Sequence, residues 1–116
     1  MNVQVTIQTR IFVCMRPLNF RAGLNATAAE CRQQLNKNPL EGGLFVFINK
    51  SKTMIRLYSF DGFKEGMFTG RVAVGRFQWW NEEGPPNDIM IEHLHTLLRG
   101  GDPKKVSFPP PWRDIN

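Results

Sequence analysis

The chain has 116 residues, of which 41% are apolar and 11% aromatic, and its 15 Lys and Arg side chains outnumber its 10 Asp and Glu. This length and composition fit one small globular domain and exclude a second full domain or a mainly disordered chain. No apolar run approaches the roughly 18 residues of a membrane-spanning helix, so we expect no membrane partner.

The first segment of the chain alternates polar and apolar residues. This alternation over residues 3–13 predicts a half-buried strand. Because residues 1–15 lack a continuous apolar core, we expect no secretory signal and a cytoplasmic location. Cys14 and Cys31 lie seventeen positions apart without a second pair, which excludes both a disulfide scaffold and a four-cysteine zinc site. We expect both thiols to be reduced and buried.

The next segment has the apolar spacing of a helix. Its apolar positions, spaced four, three and four residues apart, are Leu24, Ala28, Cys31 and Leu35. This spacing places them on one face of an amphipathic helix. The helix is expected to end before Asn38 and Pro39, since proline disfavours helical backbone in the preceding residue.

The centre of the chain predicts an antiparallel meander. The predicted strands are residues 44–48, 53–60, 63–68 and 71–77. The first of these is apolar at every position, which is typical of a central strand covered on two faces. Asp61 and Gly62 predict a tight turn because this dipeptide tolerates a positive φ. Gly70 and Gly75 are expected to break the last part of the meander.

The C-terminal third predicts a second helix and a tail. Apolar residues recur at helical spacing at Met90, Ile91, Leu94, Leu97 and Leu98. Gly100 is expected to stop this helix. We expect residues 1–102 to form a single α+β domain and residues 103–116, which contain three consecutive prolines, to form a Pro-rich C-terminal tail. The predicted fold is a small antiparallel sheet of four to five strands with two amphipathic helices that cover one face.

Side chains with catalytic potential are scattered along the sequence. On a helix, His93 and His95 would point about 200° apart, so they cannot grip one metal ion together. Cys14 and Cys31 lie in apolar contexts that disfavour the reactive thiolate. We therefore expect no enzymatic activity, no catalytic residue, no metal site and no cofactor.

Charge is unevenly distributed along the chain. Residues 1–80 carry eleven basic and four acidic side chains, a balance of +7, whereas residues 81–102 carry one basic and five acidic, a balance of −4. A cationic body attracts polyanions such as nucleic acids. The candidate contacts to DNA are Arg21, Arg56, Arg71 and Arg76.

Aromatic residues are interleaved with these basic side chains, and they allow two interpretations. If exposed, an aromatic cluster would mark a site for a partner protein. The candidate partner contacts are Tyr58, Trp79, Trp80 and Trp112. Alternatively, the aromatic rings pack in the core and the arginine side chains lie over them.

Several stretches, taken in order over residues 10–102, resemble a known family. They are Asn19 to Leu24, Asn38 to Phe47, Ile55 to Phe63, Arg71 to Phe77 and Leu94 to Asp102. They are similar to the TnpB-type, or second-open-reading-frame, accessory protein of insertion sequences of the IS sixty-six group. The chain has Asn19, Phe20 and Ala22 where the family usually has Asp, Met and Lys, so it resembles a divergent member.

The resemblance implies a role in DNA transposition, and thus in DNA recombination, beside a separate transposase encoded by the same element. It implies no catalytic activity for the accessory protein. Two hypotheses follow. In the first, a basic face of the protein binds double-stranded DNA. In the second, the protein is an interaction module that docks on the transposase without contacting DNA.

Overall fold

The structure is a computed structural model that describes residues 10–36, 38–81, 83–84 and 89–106. Its strands are β1 (Ile11–Val13), β2 (Leu44–Ile48), β3 (Met54–Phe60) and β4 (Glu65–Arg71), and its helices are α1 (Leu24–Leu35) and α2 (Ile91–Leu98). Short 3-10 turns cover Pro39–Glu41 and Pro103–Lys105. This arrangement confirms the α+β class. No helix in the described part of the chain is both long and apolar enough to cross a bilayer.

The four strands form one mixed sheet in the order β1-β2-β3-β4. The β2-β3 and β3-β4 pairs are antiparallel, as expected, but β1 pairs parallel to β2, with Ile11 opposite Leu44. The prediction of a wholly antiparallel sheet is therefore wrong for this pair. The physical reason is the connection: α1 lies between the two strands and carries the chain back to the end from which β1 started.

Helices pack on both faces of the sheet, not on one as expected. Val46 and Leu57 share one buried cluster with Leu94 of α2. Phe47 on the opposite face shares a second cluster with Cys31 of α1. β2 is apolar at every position and its side chains alternate between the two faces of the sheet. Other elements must therefore pack on both faces to bury these side chains. Both cysteines are free and buried in the second cluster, which confirms that expectation.

β4 is one strand where two were predicted. The Asp61 carboxylate accepts hydrogen bonds from the backbone N–H groups of Phe63 and Lys64, so the turn extends to Lys64 and the strand begins at Glu65. The strand then continues through Gly70, which pairs with Ile55. Residues 72–80 are all described and form no strand, so the predicted strand over 71–77 is wrong.

The segment after β4 instead contributes to the core beside α2. Phe77, Trp79 and Trp80 pack in the cluster on the α2 face, and the two tryptophan rings meet edge to face at 5.2 Å. Lys104 Nζ donates to the Trp79 carbonyl oxygen at 2.9 Å. This bond ties the Pro103–Lys105 turn to the domain. Residues 107–116 lie outside the described residues, and the predicted boundary after residue 102 stays a prediction.

Candidate nucleic-acid interface

The end of the sheet where β2 turns into β3 is organised by Asn49. The Asn49 Oδ1 atom accepts hydrogen bonds from the backbone N–H groups of Thr53 and Met54, at 2.9 and 3.0 Å. Two backbone bonds then hold the segment after β4 against this turn: Val72 N–H donates to the Thr53 carbonyl at 3.0 Å, and Phe77 N–H donates to the Lys52 carbonyl at 2.8 Å. Two segments about twenty residues apart in sequence thus lie side by side.

These two segments carry four exposed cations, which we call the basic end: Lys50, Lys52, Arg71 and Arg76. Neither residues 49–54 nor residues 71–78 contain an acidic side chain. No ion pair within the described residues involves any of the four cations. Their fields therefore add at one end of the sheet, which favours polyanions there.

Arg21 is brought to the same end of the sheet by backbone contacts on either side of it. The Leu18 N–H donates to the carbonyl of Ile48, the last residue of β2, at 2.9 Å. The carbonyls of Phe20 and Ala22, which flank Arg21, both accept hydrogen bonds from Arg56 of β3. The exposed Arg21 side chain therefore lies on a segment that is anchored near the basic end.

The N-terminus of α1 adds to the positive potential of this region. Its N-cap residue is Gly23, which makes no side-chain cap, and the first turn contains no acidic residue. Thr27, in the first turns of the helix, accepts from Arg56 at 3.0 Å, which locates this helix end over β3. The dipole of a helix places partial positive charge at its N-terminus, so it reinforces the nearby cations.

Arg56 lies inside the fold, although it was predicted to contact DNA. Arg56 is only 5% exposed. Its guanidinium donates hydrogen bonds to Thr69 Oγ1, to Thr27 Oγ1 and to the backbone carbonyls of Phe20 and Ala22. Its guanidinium also lies 4.8 Å from the centre of the Phe20 ring. Burial lowers the pKa of this guanidinium from its ordinary value. The structure thus assigns its donors to internal contacts that join β3, β4 and α1.

Three of the predicted partner contacts are also internal. Tyr58, Trp79 and Trp80 are buried, and the Tyr58 hydroxyl donates to Glu65 Oε1 at 2.6 Å. This placement agrees with the alternative interpretation, in which the rings pack in the core. Trp112 lies outside the described residues. Among the described residues, the most exposed large apolar side chains are Val74, which is 91% exposed, and Phe63 at the β3-β4 turn, which is 89% exposed.

Sequence reasoning missed Lys50 and Lys52 as site residues. Both belong to a short polar turn, and nothing near them in sequence indicates that Arg71 and Arg76 will lie beside them. The available signal was the predicted hairpin, since pairing residues 44–48 with 53–60 already places this turn at an end of the sheet. What was missing was the course of the chain after β4.

The histidines occupy different environments. His93 is buried: its Nδ1 accepts from the Met90 N–H at 3.0 Å, and its Nε2 lies 3.1 Å from the Val106 carbonyl oxygen. His95 is exposed on the other side of the helix. Within the described ranges, no group of three or more His, Cys, Asp or Glu side chains could hold a metal ion together.

Comparison with known proteins shows a family and a relative to which this chain is similar. Residues 9–108 match the family described as IS66 Orf2 like protein. An uncharacterized protein of Sinorhizobium fredii, y4hO, is 33% identical over 93 residues, which cover 80% of this chain and 81% of that protein. No solved structure matches the chain. The family match includes the four strands, both α-helices and the whole of the basic end.

Proposed function

This chain belongs to the IS66 Orf2-like family of insertion-sequence accessory proteins, and we propose that it binds double-stranded DNA through its basic end during transposition. In this proposal the protein is non-catalytic and acts beside the transposase of the same element. It works in the cytoplasm of the host cell. Its contribution is to hold DNA and not to cut or join it.

The observation that carries the proposal is that two adjacent segments, neither of which contains an acidic residue, carry four exposed cations. Lys50 and Lys52 come from one turn and Arg71 and Arg76 from a segment that two backbone hydrogen bonds hold against it. Cations that neutralise phosphates release condensed counterions, which makes binding favourable and sensitive to salt. Arg21 lies on a segment anchored nearby and extends the same positive region.

The proposed contacts are to phosphates and not to base edges. The four cations of the basic end lie on turns and a strand end and not on a helix, so the contacts proposed here place no helix in the major groove. Contacts to phosphates position a protein on a duplex without reading its sequence. We therefore expect this chain to bind duplexes of different sequence with similar affinity.

Docking on the transposase is a second candidate function, and one observation favours it. Phe63 is 89% exposed at the β3-β4 turn, at the opposite end of this hairpin from Arg71. Exposed aromatic side chains are enriched among the residues that dominate protein interfaces. The two functions are compatible because the proposed DNA contacts and Phe63 lie at opposite ends of the sheet.

Binding of a labelled duplex, measured by fluorescence anisotropy over a range of salt concentrations, tests the DNA proposal. Affinity should fall steeply with salt, and replacing Lys50, Lys52 or Arg76 with Ala should reduce the slope by about one for each lost phosphate contact. Arg10→Ala is the matched control, since Arg10 is an exposed cation just before β1, at the other end of the sheet and on the edge away from β4. A flat salt response, or an equal loss in the control, would reject the proposal.

A further inference from the structure

β4 is an edge strand whose outer backbone groups have no partner strand among the described residues. Hydrogen bonds at both ends of the β3-β4 ladder define which groups point outward. Val72 N–H donates to Thr53, and Asp61 N–H donates to Lys64, so the even-numbered residues of β4 bond to β3. The N–H and C=O groups of the odd-numbered residues, 65, 67, 69 and 71, therefore point away from the sheet.

This edge lacks the features that usually protect exposed strands. Proteins commonly block an edge with proline, a bulge, a short strand or a charge in its middle. β4 has seven residues in uninterrupted register with β3, and it contains no proline. Its only charged residues, Glu65 and Arg71, lie at its two ends. Among residues 10–36, 38–81, 83–84 and 89–106, no strand pairs with this edge, which leaves its seven residues available to a partner strand.

We propose that β4 pairs antiparallel with β4 of a second copy of this chain, across a two-fold axis at Phe68. In this register Glu65 lies opposite Arg71 of the second copy, Met67 lies opposite Thr69, and the two Phe68 residues face each other. The residues whose N–H and C=O groups point outward, 65, 67, 69 and 71, then form hydrogen-bonded pairs with the second copy, as an antiparallel ladder requires. A two-fold interface of this kind is self-complementary, since each contact occurs twice.

Charge complementarity favours a second copy over an unrelated strand. The proposed register opposes unlike charges at both ends of the strand, and opposite-charge pairs across strands are stabilising. Sliding the pairing by two residues would place Glu65 opposite Thr69 and shorten the ladder. Glu65 is already held in place, because its Oε1 accepts from the Tyr58 hydroxyl at 2.6 Å.

The centre of the strand presents a partly exposed aromatic ring between two glycines. Phe68 is 47% exposed, and its ring lies over Gly70, 3.3 Å from where a Cβ atom would stand. Gly66 flanks Phe68 on the same face, so the positions on either side of the ring carry no side chain. Glycine inside a strand often marks a close approach of another backbone. Pairing would cover the exposed part of both Phe68 rings.

Sedimentation equilibrium of the full chain, without DNA, tests this proposal independently of the proposed function. We expect a reversible dimer of twice the 13.4 kDa chain mass. Phe68→Glu would place two carboxylates opposite each other and should raise the dissociation constant about tenfold or more. Leu40→Glu, a carboxylate introduced at an exposed apolar residue of the Pro39–Glu41 turn, away from β4, should leave it unchanged. Circular dichroism verifies that each variant is folded.

A charge exchange provides a second test that does not depend on Phe68. Arg71→Glu and Glu65→Arg should each weaken the dimer, and the double variant should recover affinity because the unlike pairs are restored. A chain that stays monomeric at all concentrations would overturn the proposal. So would a dimer whose affinity is unaffected by both Phe68→Glu and the single charge reversals, since its interface would lie elsewhere.

Discussion

Arg56 Nη1 donates a 2.7 Å hydrogen bond to the carbonyl oxygen of Ala22, which lies 34 residues earlier in the chain. The acceptors of Arg56 are all neutral: two backbone carbonyls and the hydroxyls of Thr27 and Thr69. The guanidinium group is planar and its N–H groups point in fixed directions, so it can donate to several acceptors at once. One side chain therefore joins the start of α1 to two strands.

Replacing Arg56 with Met should destabilise the fold by about 2–4 kcal/mol, since several buried acceptors would lose their donors together. Arg56→Lys should recover only part of this loss because an ammonium cannot reproduce the planar guanidinium. Urea denaturation measures the difference. Arg76→Met, at an exposed position, is the control and should stay within about 0.5 kcal/mol of the natural chain. Equal stability of the two Met variants would contradict this role for Arg56.

Tyr58 is the single tyrosine of the chain, so its phenolate absorbance can be followed without interference. Burial, and then the hydrogen bond to Glu65, raise the pKa of Tyr58 above its ordinary value. The folded state thus favours the neutral phenol. This contribution to stability is complete below the unfolded-state pKa of about 10 and is lost as the pH rises above it.

An alkaline titration of the folded protein should therefore show no phenolate until pH values above those at which the urea-unfolded chain ionises. Tyr58→Phe should remove the part of the alkaline loss of stability that comes from this group. The lysines also titrate in this range, and the variant separates their contribution from that of Tyr58. Ionisation of Tyr58 at the same pH in the folded and unfolded chains would refute this prediction.

His93 Nδ1 accepts from the Met90 N–H, so this nitrogen cannot carry a proton while the bond exists. We predict the tautomer with the proton on Nε2, which then donates to the Val106 carbonyl. Nitrogen-15 chemical shifts of the imidazole identify the tautomer. His93→Leu should cost about 1–3 kcal/mol because it leaves the Val106 carbonyl without this donor, whereas His95→Leu, at an exposed position, should cost little. A protonated Nδ1 in the folded state would be incompatible with this arrangement.

Cys14 and Cys31 are both fully buried, and a hydrogen bond between them and burial raise the pKa of the Cys14 thiol. The thiolate is the reactive form, so the native thiols should be inert. A disulfide reagent should label them only as fast as the protein unfolds, and it should label both rapidly in urea. Fast labelling of either thiol under native conditions would contradict their burial.

The predicted elements that the structure confirms are those with a strong local pattern. The four-three-four apolar spacing predicted α1, and the continuous apolar run predicted both β2 and its cover on two faces. The boundary at β4 was wrong because a local rule, in which glycine breaks a strand, was overridden. Gly70 continues the strand since its backbone pairs with Ile55.

The residues of the candidate site were also predicted only in part. The sequence indicated that Arg21, Arg71 and Arg76 were available cations, and each is exposed. It could not show that Arg56 is buried. Phe20 and Ala22 lie more than thirty residues away, and only folding brings their carbonyls within reach of the guanidinium.

The sequence by itself determined that this chain forms strands and amphipathic helices around one core, and that its first two thirds are cationic. Periodicity and charge are local properties, so they can be read without coordinates. The tertiary structure decided the parallel pairing of β1, the burial of Arg56 and Tyr58, and the assembly of the basic end. Each of these depends on hydrogen bonds or packing between segments distant in sequence, which no local pattern encodes.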